Sequence, residues 1–135
     1  MADPELVRAP LLNAALGTPD NQFVIHENRD DPRRPPRRGV PLHRHRSEDE
    51  AWVVLGGTLR FQFGKKEFDA GPGSGVLLPR GTAHTFWNPG PDPARYLLIV
   101  GPKTEGLLQV IHGPRSVPPA ELAAIYDSFD IELLE

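Results

Sequence analysis

Two of the chain's five histidines stand together as His43-Arg44-His45. On a β-strand, residues two apart point to the same face, so both imidazoles can converge on one ion. Imidazole is a good ligand for Zn, Cu, Fe and Ni. Three acids follow: Glu48, Asp49 and Glu50. Glu50 lies five residues after His45, an odd offset that turns it to the wrong face if one strand runs straight through. It returns only if Arg46-Ser47-Glu48-Asp49 makes a turn or bulge and a new strand begins near Glu50. The composition of that segment suits a turn. Glu50, Trp52 and Val54 then share an inner face. The next histidine, His84, comes just after a Pro79-Arg80-Gly81 turn and shares parity with Phe86 and Asn88, while Trp87 points the other way. Taken alone, the pair also reads as a surface His-x-His in a basic loop, with His84 packed in a core.

The elements that would position these residues are short strands. Gln22–Glu27 reads as a strand, and Trp52–Leu55 is apolar and β-rich. Gly56-Gly57 is a hairpin-turn pair. Thr58–Phe63 alternates, with Leu59, Phe61 and Phe63 on one face. Gly64-Lys65-Lys66 is a further turn; Val76–Leu78, Ala83–Trp87 and Tyr96–Val100 complete the run. Many short strands between Gly/Pro turns predict a sandwich or barrel. Residues 29–41 read as a loop, because their four prolines forbid a regular ladder. Arg33, Arg34, Arg37 and Arg38 in that loop are either an anion-binding patch or a solvated basic stretch. Lys103–His112 and Pro118–Phe129 carry apolar residues at helical spacing, with prolines suited to a first turn. The expected division is an arm over 1–19, a barrel over 20–101 and a helical extension over 102–135 that packs on the barrel.

Composition narrows the function. A length of 135 residues is one domain with a real core. Fifteen Lys+Arg against 18 Asp+Glu give a net charge of −3, a poor basis for binding nucleic acid, which needs several cationic phosphate contacts. No run of 18 apolar residues marks a membrane span, and Met1–Arg8 lacks the basic-then-apolar pattern of a signal peptide. Cysteine is absent, which excludes disulfides, thiolate metal sites and cysteine nucleophiles. The cytoplasm is the expected compartment.

The spacing resembles the two motifs of the cupins, a family of small double-stranded β-helix (jelly-roll) barrels. The first motif is His-x-His, three or four residues, Glu, six residues, Gly. Here His43-x-His45 is followed by four residues, Glu50, six residues and Gly57. The second is Gly, five residues, Pro-x-Gly, two residues, His, three residues, Asn, and Gly73, Pro79, Gly81, His84 and Asn88 match it throughout. Fifteen residues separate Gly57 from Gly73, a gap typical of small single-barrel members. One position departs: where the family often has Gly six residues before the first His, this chain has Arg37, with Gly39 nearby.

The resemblance implies an all-β jelly-roll barrel with short C-terminal helices. It also implies that His43, His45, Glu50 and His84 ligate one divalent transition metal, whether Fe, Mn, Ni, Zn, Cu or Co. Three neutral imidazoles and one carboxylate leave such a centre at +1, with open positions for water or substrate. The implied function is a mononuclear-metal enzyme, dioxygenase-like, on a small organic substrate that chelates through oxygen. Glu50 doubles as a possible base. The alternatives are a redox-neutral isomerase, lyase or decarboxylase, and a non-catalytic small-ligand binder. Trp52, Phe61 and Phe86 are candidates for the pocket wall, with ordinary core as their other reading. Asn88 reads as a turn holder, and His26 and His112 as structural. The terminal helices either cover the barrel mouth or pack outside it. A homodimer is expected, because the N-terminal segment with Leu6, Val7, Leu11 and Leu12 is long enough to cross to a partner, and neither nucleic acid nor membrane is an expected partner.

Overall fold

Short alternating segments punctuated by Gly and Pro have one way to satisfy their backbone groups and hide one face: antiparallel pairing into sheets that pack together. A computed structural model describes residues 3–11, 14–35, 37–38 and 40–135 of the chain in that arrangement. In chain order the strands are β1 (Ala15–Leu16), β2 (Val24–Asp30), β3 (His43–His45), β4 (Glu50–Gly56), β5 (Leu59–Phe63), β6 (Lys66–Ala70), β7 (Gly75–Leu78), β8 (His84–Trp87) and β9 (Ala94–Val100). Helices α1 (Pro102–Ile111) and α2 (Pro119–Ser128) follow, and β10 (Ile131–Leu133) closes the chain. One sheet runs β1-β2-β9-β4-β7 and the other β10-β3-β8-β5-β6, a mostly β, jelly-roll architecture with two short helices. No helix among the described residues is long and apolar enough to cross a membrane.

The core lies between the sheets. Trp52 and Val54 of β4, Leu59 and Phe61 of β5, and Tyr96, Leu98 and Val100 of β9 alternate inward and are buried. Both helices begin with proline, whose missing N–H and fixed φ suit a first turn. Leu107 of α1, Tyr126 of α2 and Ile131 of β10 form a second, smaller core. That core is fastened to the barrel through β10, which pairs with β3 in the register Ile131↔His45 and Leu133↔His43.

Three strands depart from the sequence reading. β10 lies in the expected helical extension, after the second expected helix; three residues there carry no period of their own, and pairing with β3 defines them. β6 begins at Lys66, inside the segment taken as a turn, and exposes four of its five residues, so an edge strand with little buried face showed no alternation. β2 runs on to Asp30, past the expected start of the proline loop, because β9 pairs with it residue by residue as far as Asp30↔Ala94. In the arm, Ala15 and Leu16 pair with β2 of the same chain. Leu12 of the proposed dimer segment, and Gly39, lie outside the described residues.

Candidate metal centre

The candidate ligands come from three strands, β3, β4 and β8. His43 and His45 point inward from β3, and His84 opens β8 directly opposite His43 in register. The rings of His43 and His84 lie 4.2 Å apart, and those of His45 and His84 5.2 Å. Glu50 reaches in from the facing sheet as the first residue of β4. All four side chains are buried, and each offers one ligand atom within 4.8 Å of the others. Residues 46–49 make the break between β3 and β4, so Glu50 regains the inner face with Trp52 and Val54.

The other two acids of that break hold the frame. Glu48 caps α1, whose N-cap Gly101 has no side chain for the purpose: its carboxylate accepts the Lys103 N–H at 2.9 Å and the Thr104 N–H at 2.8 Å. Asp49 accepts the Arg80 backbone N–H at 2.9 Å and so fixes the Pro79–Gly81 turn that delivers His84.

Ring tautomers follow from the partners. His43 Nδ1 faces the Pro41 carbonyl at 2.8 Å and His84 Nδ1 faces the Thr82 carbonyl at 2.9 Å. A carbonyl only accepts, so both Nδ1 atoms carry the proton. His45 Nδ1 lies 3.0 Å from Thr104 Oγ1, whose own hydrogen goes to Glu48 Oε1 at 2.8 Å, so His45 donates there as well. In the neutral rings all three Nε2 atoms therefore carry lone pairs, and those of His45 and His84 face Glu50. His45 Nε2 stands 3.0 Å from Glu50 Oε2 without hydrogen-bond alignment, a buried nitrogen with no partner, and His84 Nε2 stands 3.2 Å away. Acceptors facing one another in a buried space require a proton or a cation between them. Burial, reinforced by the neighbouring His84, holds the His43 imidazole down at about 4 and hence neutral. Burial works to raise the Glu50 carboxyl; it is held down to about 2 only by hydrogen bonds and positive charge offered from the His45 and His84 rings, a place that a cation takes when those rings are neutral. Three neutral imidazoles and a carboxylate, each oriented by an outer hydrogen bond, fit a divalent transition ion.

Nothing in the sequence marked Thr104. Thr104→Val keeps its shape but removes the acceptor for His45 Nδ1. Metal affinity is expected to fall roughly 10–100-fold, read by competition with a chromophoric chelator, and Thr104→Ser is expected to restore it. An unchanged affinity would contradict the role.

A cavity of about 1300 Å³ opens over the four residues. Trp52 and Phe86 line it. Phe61 does not: it is fully buried behind them, packed against both rings, because strand parity chooses a face and not a depth. The helices help wall the cavity, through Thr104, Glu105, Leu107 and Tyr126 among others. Arg33 and Arg37 of the proline loop also border it, while Arg38 pairs with Glu135. Asn88 holds the β8–β9 connection: its amide donates to the Asp30 and Asp92 carbonyls and its oxygen accepts the Gly90 N–H. His112 borders the cavity from an exposed position. His26, expected to be structural, lines the cavity and meets Glu105 of α1 at 2.5 Å.

A cupin-domain family model matches residues 33–100, half of the chain, and the chain belongs to the cupin family. Among solved structures it is similar to a sugar phosphate isomerase of the cupin superfamily from Silicibacter pomeroyi. That match has 26% identity and a TM-score of 0.53, over 60% of this chain and 51% of the other. The match thus spans about half the length of that isomerase. A cupin protein from Bacteroides fragilis aligns over 75% of this chain and 86% of its own, at 14% identity and a TM-score of 0.59. A conserved protein with a double-stranded β-helix domain from Klebsiella pneumoniae aligns over 61% and 65%, at 21% identity and a TM-score of 0.51. The last two show the fold alone. No curated protein matches the chain.

Proposed function

We propose that the chain is a mononuclear-metal enzyme acting on a small organic substrate that binds through oxygen. The observation that carries this reading is the convergence of three Nε2 lone pairs and one buried carboxylate at the floor of a cavity. His43, His45, Glu50 and His84 would hold the ion, and Trp52 and Phe86 supply apolar wall beside it. A bound divalent ion supplies a Lewis-acidic point that favours the anionic form of an oxygen ligand. Such a site serves dioxygenase-like chemistry, with O₂ as co-substrate, or a redox-neutral isomerisation or lyase reaction. The likeness to a sugar phosphate isomerase supports the second.

The test is turnover of diketones, polyphenols and hydroxy-ketones by metal-loaded protein, run with and without oxygen. Consumption only in air is the oxidative result, and equal consumption in both is the redox-neutral one. Absence of turnover in either, with ligand binding retained, overturns the enzyme reading in favour of a binding module.

The working form is proposed to be a homodimer, supported by the exposed apolar side chains of Phe23 and Leu77. Sedimentation equilibrium is expected to give twice the chain mass of 14.9 kDa, and a single-chain mass contradicts it.

A further inference from the structure

His26 belongs to the inner face of β2. In register it stands beside Leu98, which stands beside Trp52, so the three form one row across the sheet. Glu50 lies two residues before Trp52 on β4. Two strand spacings of about 4.8 Å and two residues of about 3.4 Å put the backbones of His26 and Glu50 roughly 12 Å apart. With both side chains turned inward, that leaves room between them for a molecule of a few heavy atoms.

The ring of His26 is held from behind. Its Nε2 lies 2.5 Å from Glu105 Oε2, within hydrogen-bond reach. Glu105 is a buried carboxylate in the first turn of α1, its side chain 5% exposed, and its other oxygen accepts from the Gln109 amide at 3.3 Å. The His26 side chain is 22% exposed and lines the cavity, so it is not a histidine filling a core. With Nε2–H committed to Glu105, Nδ1 is the nitrogen left as a base. A carboxylate behind an imidazole fixes its tautomer and stabilises the imidazolium formed when it takes a proton. The neighbouring residue on α1, Thr104, orients His45. One turn of helix thus places both a candidate ligand and this second histidine.

We infer that the His26–Glu105 pair is a proton-transfer device for an α-hydroxy carbonyl substrate, His26 the catalytic residue and Glu105 its positioning residue. The inference rests on the metal-dependent reading above. His26 Nδ1 takes the proton from the carbon that bears the hydroxyl, next to the carbonyl. The C–H electron pair becomes the C=C bond, and the carbonyl pair moves onto oxygen. The hydroxyl proton passes to the former carbonyl oxygen. His26 then returns its proton to the former carbonyl carbon, and the new carbonyl forms at the neighbouring carbon. Atoms balance without oxidant or reductant.

The probe is dihydroxyacetone in D₂O with Zn(II)-loaded protein, carbon-bound deuterium being read by mass spectrometry. Wild type is expected to incorporate deuterium. His26→Gln is expected to do so about 100-fold more slowly, and Glu105→Gln about tenfold more slowly at similar KM. Both variants are expected to bind Zn(II) like wild type. Nitrogen-15 NMR of wild-type histidines is expected to show His26 protonated at Nε2 with a far-downfield bridging proton that Glu105→Gln abolishes. Incorporation by His26→Gln at the wild-type rate, none by Zn(II)-loaded wild type, or no bridging proton overturns the inference. Failure of wild type to take up Zn(II) instead sinks the metal-dependent reading beneath it.

Discussion

Glu50→Ala is expected to abolish the rise in melting temperature that divalent ions give the wild type. Glu50 is the only carboxylate among the four candidate ligands, and the only one from its sheet, so without it three neutral rings on one sheet face a divalent charge alone. An ion at a hundred times its Kd stabilises a protein by about 2.7 kcal/mol. For a chain of this size that is a rise of roughly 8–10 °C. The variant is expected to shift by less than about 2 °C under the same conditions, while its metal-free melting stays cooperative. Equal ion-induced shifts in the two proteins, measured by calorimetry, would place the ion elsewhere.

Gly57→Ala is expected to cost the fold about 4 kcal/mol or more, a fall in melting temperature above about 12 °C. Gly57 turns the chain from β4 into β5 at φ +70°, in the left-handed region. An added Cβ would lie 2.3 Å from the Pro93 carbonyl oxygen and 2.8 Å from the Ala94 Cα, both backbone. Those atoms cannot retreat without breaking the β4–β9 ladder, which at this end pairs Gly56 with Arg95. Gly64 is the control. Its φ is +56°, but no atom lies within 4 Å of an added Cβ, so Gly64→Ala carries the left-handed penalty alone, about 1–2 kcal/mol. Similar losses at both positions in denaturant unfolding would refute the close-approach argument.

What the sequence disclosed follows from the range of the interactions involved. The His43-x-His45 pair, the break before Glu50 and the Pro79–Gly81 turn before His84 are local, and each carries its own signal in spacing and turn chemistry. The barrel strands whose inner residues alternate, such as Leu59 and Phe61, were equally legible. The supports of the site were not. Thr104 reaches His45 across 59 positions, and Glu105 reaches His26 across 79. Glu48 caps a helix that begins more than fifty residues later. In the sequence these are an unremarkable threonine and two acids, and only the docking of α1 against the barrel gives them partners. Phe61 shows the same limit at shorter range: its parity was plain, but its depth behind Trp52 and Phe86 depends on how two sheets pack. β10 had no signal of its own, being defined by pairing with β3.

The central claim is that His43, His45, Glu50 and His84 hold one divalent ion. It is tested most directly by metal analysis of protein purified without chelator and without an immobilised-metal column, beside a His43→Ala/His84→Ala double variant. The account predicts near one equivalent of a single transition metal in wild type and none in the variant. Under about a tenth of an equivalent in wild type, even after soaking with Fe(II) or Mn(II), would contradict it, because ligands preorganised in this way bind first-row ions readily.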